Sequence, residues 1–144
     1  MTLTSLRHID NDQDCIACYA VMLELRPNLI GPDAFVAQLR RQREQGYRLL
    51  AAWQGEEIVA LAGYRFQENL LYGRFVYIDD LVVGAGARSQ GLGRRLIEAV
   101  REEAKRLRCD RLVLDTGLSN AFAQRFYFRQ GLLATGLHFV EAVD

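Results

Sequence analysis

Two stretches of this 144-residue chain hold residues whose types and spacing can do chemistry. The first is Asp79-Asp80, two carboxylates inside the apolar run "RFVYIDDLVV". A carboxylate among apolar neighbours can accept a proton or hold a cation. Adjacent side chains on a regular strand point to opposite faces, so only one of the pair can face a cleft unless a bulge intervenes. The second is "VVGAGARSQGLG", Val82 to Gly93, for which two phosphate cradles compete.

A dinucleotide turn would read Gly-x-Gly-x-x-Gly and open a helix directly after a strand. Gly84 and Gly86 fit the first two positions, but the third falls on Ser89. The helical period begins near Leu92, and Asp115 lies too far along to be the ribose-binding acid. Read four residues later, Arg88-x-x-Gly91-x-Gly93 sits where the loop meets a long helix. There the first-turn amides lack partners and the macrodipole is positive. Glycine at two positions lets a pyrophosphate approach the backbone without meeting a Cβ. Arg88, Arg94 and Arg95 can add charge-assisted contacts. The Walker spacing is absent, because Leu92 follows Gly91 in place of lysine. On this reading Gly84 and Gly86 form a flexible link off the strand end.

The elements that must position these residues follow from periodicity. Leu3 to Ile9 reads as a first strand. Asp10 to Asp14 offers caps for a helix to about Leu25, with Ile16, Ala20 and Leu23 on one face. Pro32 suits the first turn of a second helix ending near Gly46. "YRLLAAWQ", "EIVALAGYRFQ" and "RFVYIDDLVV" read as an antiparallel meander joined by "QGEE" and "ENLLYG". Leu92, Leu96, Val100, Ala104 and Leu107 mark a helix of about four turns. "RLVLDT" is a strand, a short helix starts near Ser119 and stops at Gly131, and "LLATGLHFV" reads as a last strand. The strand–helix–strand step from Val76 to Leu114 calls for a parallel pair. The order is βααβββαβαβ, an α/β fold with a mixed, mostly antiparallel sheet and helices on both faces.

The bulk numbers fit one domain over residues 1–144. Half the residues are apolar, a quarter are charged and the formal net charge is zero. That speaks against a polyanion-coating nucleic-acid partner. No signal peptide and no apolar run long enough to span a bilayer is visible, so a cytoplasmic protein without a membrane partner is expected. Cys15-x-x-Cys18 has metal-pair spacing. Two further ligands are lacking, so no metal is expected and the pair reads as semi-buried helix cysteines. His8 and His138 read as structural, Trp53 and Tyr64 as core or cleft wall, and Arg40, Arg41 and Arg43 as a solvated helix face.

The Arg88-x-x-Gly91-x-Gly93 loop, its flanking strands "YIDDLVV" and "RLVLDT", and "NAFAQRFYFRQGL" together resemble the GNAT superfamily of N-acetyltransferases. The match covers roughly Arg74 to Val140. The resemblance implies acetyl-CoA as co-substrate and a small-molecule or peptide amine as acceptor; homodimers are common among similar proteins. It implies that pantetheine pairs with the backbone of Leu81, Val82 and Val83. The pyrophosphate would sit on Arg88, Ser89, Gln90, Gly91, Leu92, Gly93 and Arg94, and Asn120 would contact the pantetheine arm. Tyr127 would lie beside the sulfur and give the departing thiolate a proton. The chemistry also needs a base, because an alkyl ammonium is not a nucleophile at neutral pH, and a donor for the developing oxyanion, such as an amide near Val83. Asp79 falls where related enzymes carry glutamate and is chosen as base; the alternative is a polar residue paired with a nearby arginine. Asp80 is structural or holds the substrate's cation, and Glu24 is a further acceptor-site residue. The competing reading is a non-catalytic acyl-CoA-binding regulatory domain.

Overall fold

The computed structural model describes residues 3–144. It divides into two units, residues 1–113 and 114–144. The first begins with β1 (Thr4–His8), α1 (Asp12–Leu25), α2 (Pro32–Glu44) and β2 (Arg48–Gln54). It continues with β3 (Glu57–Asn69), β4 (Gly73–Val83), a 3-10 turn (Ala85–Ala87), α3 (Leu92–Arg106) and β5 (Arg111–Leu114), whose last residue opens the second unit. Helix α4 (Ala121–Arg129) lies in the second unit. The sheet is mixed, in the order β1-β2-β3-β4-β5, and the first four strands are antiparallel neighbours. No described helix is long and apolar enough to cross a membrane.

The local signals act as expected. The Asn11 side chain caps α1 through the Asp14 amide at 2.8 Å. Pro32 opens α2, and α3 starts at Leu92. One face of the sheet, with Leu49, Ala51 and Leu61, packs against α1 and α2. The other packs against α3, whose Leu96, Ile97 and Val100 are fully buried. Ala52, Ala60 and Ala62 have no exposed surface on that side and let the helix lie close.

Two expectations are corrected. On α1 the inward residues are Cys15, Cys18, Val21 and Met22, while Ile16 is half exposed. The helix carries apolar residues on nearly every side, so periodicity alone cannot choose its buried face. The last strand over "LLATGLHFV" is not formed, and residues 132–144 are neither helix nor strand. A strand exists only where a neighbour pairs with it; this segment has none, and Leu133, Leu137 and Phe139 are exposed.

Candidate active site

The site begins with a bulge. Gly63 of β3 pairs with Asp80, and the next residue, Tyr64, pairs with Ile78. Asp79 is therefore the extra residue of β4, without a partner in β3. An extra residue reverses the alternation of faces. Arg65 opposes Tyr77 and Gly63 opposes Asp80, so Asp79 and Asp80 both turn to the face covered by α1 and α2.

Each carboxylate meets its own cation there. Arg65 donates to Asp79 through Nε at 2.8 Å and Nη2 at 2.7 Å. Arg26, just beyond α1, donates to Asp80 Oδ1 from Nε at 2.9 Å and to the Asp79 carbonyl oxygen from Nη2 at 2.8 Å. The Tyr47 hydroxyl donates to Asp80 Oδ2 at 2.7 Å. Burial, then the Asp80 charge, holds the Tyr47 phenol protonated far above its ordinary range. Gly63 makes room for it: a Cβ there would stand 1.8 Å from the Tyr47 oxygen. Burial raises the Asp79 carboxyl above its ordinary value, and the Arg65 hydrogen bond opposes that rise. Beside these groups lies a cavity of about 380 Å³, whose polar walls include Arg26, Gln38, Gln42, Tyr47 and Asp80. Asp80 lines it and Asp79 does not.

The strand then runs into the loop. Gly84 donates to the Val59 carbonyl at 2.8 Å, and Glu24 accepts from the Ala85 amide at 3.0 Å. A Cβ on Gly84 would stand 3.1 Å from the Val59 oxygen. This corrects the expectation of a flexible link: the segment is a 3-10 turn pinned where it begins, to β3 and to α1. Glu24 is thus a tether between α1 and the loop, in the wall of a cavity of about 720 Å³. The charged residues lining that cavity are Glu24, Glu56 and Glu57, so it repels phosphate.

The candidate anion cradle lies further along. Ser89 and Gly91 both have left-handed backbone, at φ 68° and 73°. For serine that conformation is sparsely populated, and such residues cluster at functional turns. Gly91 caps α3, and Leu92, Gly93 and Arg94 present first-turn amides. The Gly91 position opens onto empty space, so its glycine serves the backbone rather than packing. Arg94 pairs with Glu98, Arg95 reaches the Thr4 carbonyl and Gln90 accepts from Gln54 at 2.6 Å. These backbone groups fit a pyrophosphate. The Asp110 amide donates to the Arg74 carbonyl at 2.7 Å and β5 spans four residues, so Leu81, Val82 and Val83 extend beyond its reach.

In the second unit the Asn120 side chain caps α4 through the Ala123 amide at 3.1 Å. Gly131, at φ 91°, ends that helix. Tyr127 is partly buried, and burial raises its phenol above the ordinary range. Cys18 is fully buried, its thiol pushed up to about 12 chiefly by burial, so Cys15-x-x-Cys18 is core. His8 is bonded to Tyr64 at 2.6 Å, and Arg40 pairs with Asp12. Arg26, Tyr47, Gly63 and Arg65 are not among the candidate site residues named from the sequence. The signal available for them was a glycine inside the apolar pattern of β3, which marks a bulge or a close approach.

The acetyltransferase (GNAT) family model matches residues 11–132. The chain belongs to that family and is an N-acetyltransferase. Aminoalkylphosphonate N-acetyltransferase of Salmonella typhimurium is 29% identical over 148 residues, covering 99% of this chain and 94% of that protein. The uncharacterized N-acetyltransferase YhdJ of Bacillus subtilis is 27% identical over 123 residues, 85% of this chain and 86% of that one. Among solved structures, aminoglycoside N-acetyltransferase AAC(6')-Iy in complex with CoA superposes with a TM-score of 0.87 at 16% identity, covering 99% and 96% of the two chains. Arabidopsis thaliana glucosamine-6-phosphate N-acetyltransferase gives 0.77 at 19% identity, covering 99% of each.

Proposed function

We propose that the protein moves an acetyl group from acetyl-CoA to a primary amine of a small molecule or peptide by direct attack. The observation that carries this reading is the β4 bulge, which sets two acidic side chains side by side on one face, next to a cavity. Acetyl-CoA supplies the thioester: the amine nitrogen bonds its carbonyl carbon, the C–S bond breaks, and coenzyme A leaves as thiolate. The work of this chain's residues is binding and proton transfer. Amides from Arg88 to Arg94 hold the pyrophosphate, with the Arg88 and Arg94 side chains adding charge. The backbone of Leu81–Val83 aligns the pantetheine arm, and Asn120 contacts it.

Asp79 takes the ammonium proton, directly or through water. Its raised affinity for a proton suits that task, and Arg65 keeps it oriented. Asp80, lining the cavity, attracts the ammonium. Tyr127 gives its hydroxyl proton to the thiolate, and its raised value keeps that proton in place until needed. The whole of residues 1–144 acts as one catalytic domain. The work is done without a metal, in the cytoplasm, and neither nucleic acid nor membrane is a partner.

The test is thiol release from acetyl-CoA across an amine panel, comparing wild type with Tyr127→Phe and Asp79→Asn. Turnover by wild type, with kcat lowered about 10²-fold or more in each variant, is expected. Tight acetyl-CoA binding without turnover of any amine would favour an acyl-CoA-binding regulatory domain instead.

A further inference from the structure

The cavity of about 380 Å³ beside the bulge has an unusual charge inventory. Its lining contains one acidic side chain, Asp80, and one basic side chain, Arg26; the other polar residues are neutral. A polycation would need a surplus of carboxylates there, and none is present. The volume is at the small end of ligand sites.

The two charges form an ion pair, Arg26 Nη2 lying 2.8 Å from Asp80 Oδ1, but the pairing does not use all of the guanidinium's donors. Asp80 is almost buried, with 13% of its side chain exposed, and it is locked by the Tyr47 hydroxyl on one oxygen and Arg26 on the other. Arg26 is half exposed. Its Nε and Nη2 are committed to Asp80 and to the Asp79 carbonyl. A guanidinium carries five N–H donors in a rigid fork. The protein thus fixes one edge of the fork and leaves Nη1, with no hydrogen bond among the described residues, for a ligand. The result is a preorganised donor one side-chain contact away from a preorganised carboxylate. That pair is complementary to a molecule with an ammonium and an anion a few bonds apart.

Resting on the acetyl-transfer reading above, we infer that the acceptor is a small zwitterionic amine. Its anionic group, carboxylate or phosphonate, seats on Arg26, and its amine is drawn to Asp80. The apolar wall from Met22, Leu25 and Phe35 accommodates the short carbon chain between the two. Arg26 is a specificity-determining residue: it selects the acceptor and does not touch the acetyl group.

The experiment measures kcat/KM at saturating acetyl-CoA for 3-aminopropanoate, 2-aminoethylphosphonate, the methyl ester of 3-aminopropanoate, propylamine and spermidine. Wild type, Arg26→Gln and Arg26→Lys are compared, each checked for an unchanged thermal midpoint. The expected result is a preference for at least one of the two zwitterions over propylamine and the ester by about 10- to 100-fold, the worth of one or two charge-assisted hydrogen bonds. Arg26→Gln collapses that ratio to about one, and Arg26→Lys restores part of it. The carboxylate and phosphonate arms identify which anion fits. A wild type that prefers spermidine or propylamine overturns the inference and leaves acetyl transfer standing, as does a preference that survives Arg26→Gln. Absence of thiol release with every amine overturns both.

Discussion

Asp79 and Asp80 are held by side chains, whereas the loop from Gly84 to Gly91, next along the chain, is held by its backbone. Around the aspartates, Arg65, Arg26 and Tyr47 each make bonds under 3 Å, and Gly63 clears the space in which Tyr47 reaches Asp80. In the loop the fixing contacts are the Gly84 amide on the Val59 carbonyl, the Ala85 amide on Glu24, and two left-handed residues, Ser89 and Gly91. On the proposed function, the difference matches what each region would recognise. A pyrophosphate is met by amides and a helix end, which any sequence supplies once its backbone is bent correctly. An acceptor amine is met by particular side chains, which must be placed by their neighbours.

The contrast breaks most visibly at Gly63. Gly63→Ala places a methyl group 1.8 Å from the Tyr47 oxygen and 2.4 Å from its Cζ, so the whole ring must move. Overpacking of this kind costs about 1–3 kcal/mol or more, and Asp80 loses its hydroxyl partner as well. Urea unfolding should show a midpoint shift with little change in slope. Acceptor KM should rise while the affinity for acetyl-CoA stays near wild type. If acetyl-CoA binding fell equally, the two regions would not be independent.

Arg65→Gln comes next. It strips the cation from a carboxylate whose side chain, like that of Arg65, is 21% exposed, which costs about 1–3 kcal/mol at neutral pH. The pH dependence has a definite sign. Burial already raises the Asp79 carboxyl, and Arg65 opposes that rise, so its removal raises it further. An unfolded aspartate ionises near 3.9, before the folded one does. Stability contributed by the protonated folded carboxyl is therefore full at low pH and falls as pH rises from the unfolded to the folded value. The deficit of Arg65→Gln should be small at pH 4 and grow toward neutrality. If Asp79 is the base, the acid limb of kcat/KM should move to higher pH in the same variant.

Much of this architecture was legible in the sequence, and the reason differs by element. The long helix declared itself through Leu92, Leu96 and Val100, because only one of its faces is buried. The N-terminus of that helix and its glycine cap were legible because the left-handed backbone at Gly91 is a conformation that glycine marks. The facing of α1 was not legible, since apolar side chains surround it and Cys15 and Cys18, not Ile16, turned inward. The bulge at Asp79 was foreseen only as an exception. It depends on the register of β3 against β4, a long-range property that two adjacent aspartates cannot report. Arg26 and Tyr47 are 54 and 33 residues from Asp80, so no local spacing links them. The final strand failed for a related reason: its sequence pattern is local, whereas a strand needs a pairing neighbour, and this segment has none.

A milder break is Gly91→Ala. No atom lies within 4 Å of the new Cβ, so packing is unaffected. The cost is conformational: φ of 73° is left-handed, and alanine there loses about 1–2 kcal/mol. Any relaxation toward ordinary helical φ rotates the amides of Leu92 and Gly93. Titration with coenzyme A should show a Kd rise of about tenfold, and acceptor specificity should not change.

The smallest expected effect is the most discriminating. At Gly86 an added Cβ would have no atom within 4 Å and, unlike at Gly91, the backbone has no positive φ. Alanine therefore meets neither a clash nor strain. Its only thermodynamic consequence is a less flexible unfolded chain, which stabilises by up to about 1 kcal/mol. If the pyrophosphate sits on Arg88 to Arg94, coenzyme A binding should be unchanged in Gly86→Ala. If instead the Gly84-x-Gly86 turn takes the phosphates, a Cβ at Gly86 would stand between backbone and ligand and weaken binding strongly. One substitution with almost no structural cost thus decides which half of "VVGAGARSQGLG" carries the anion.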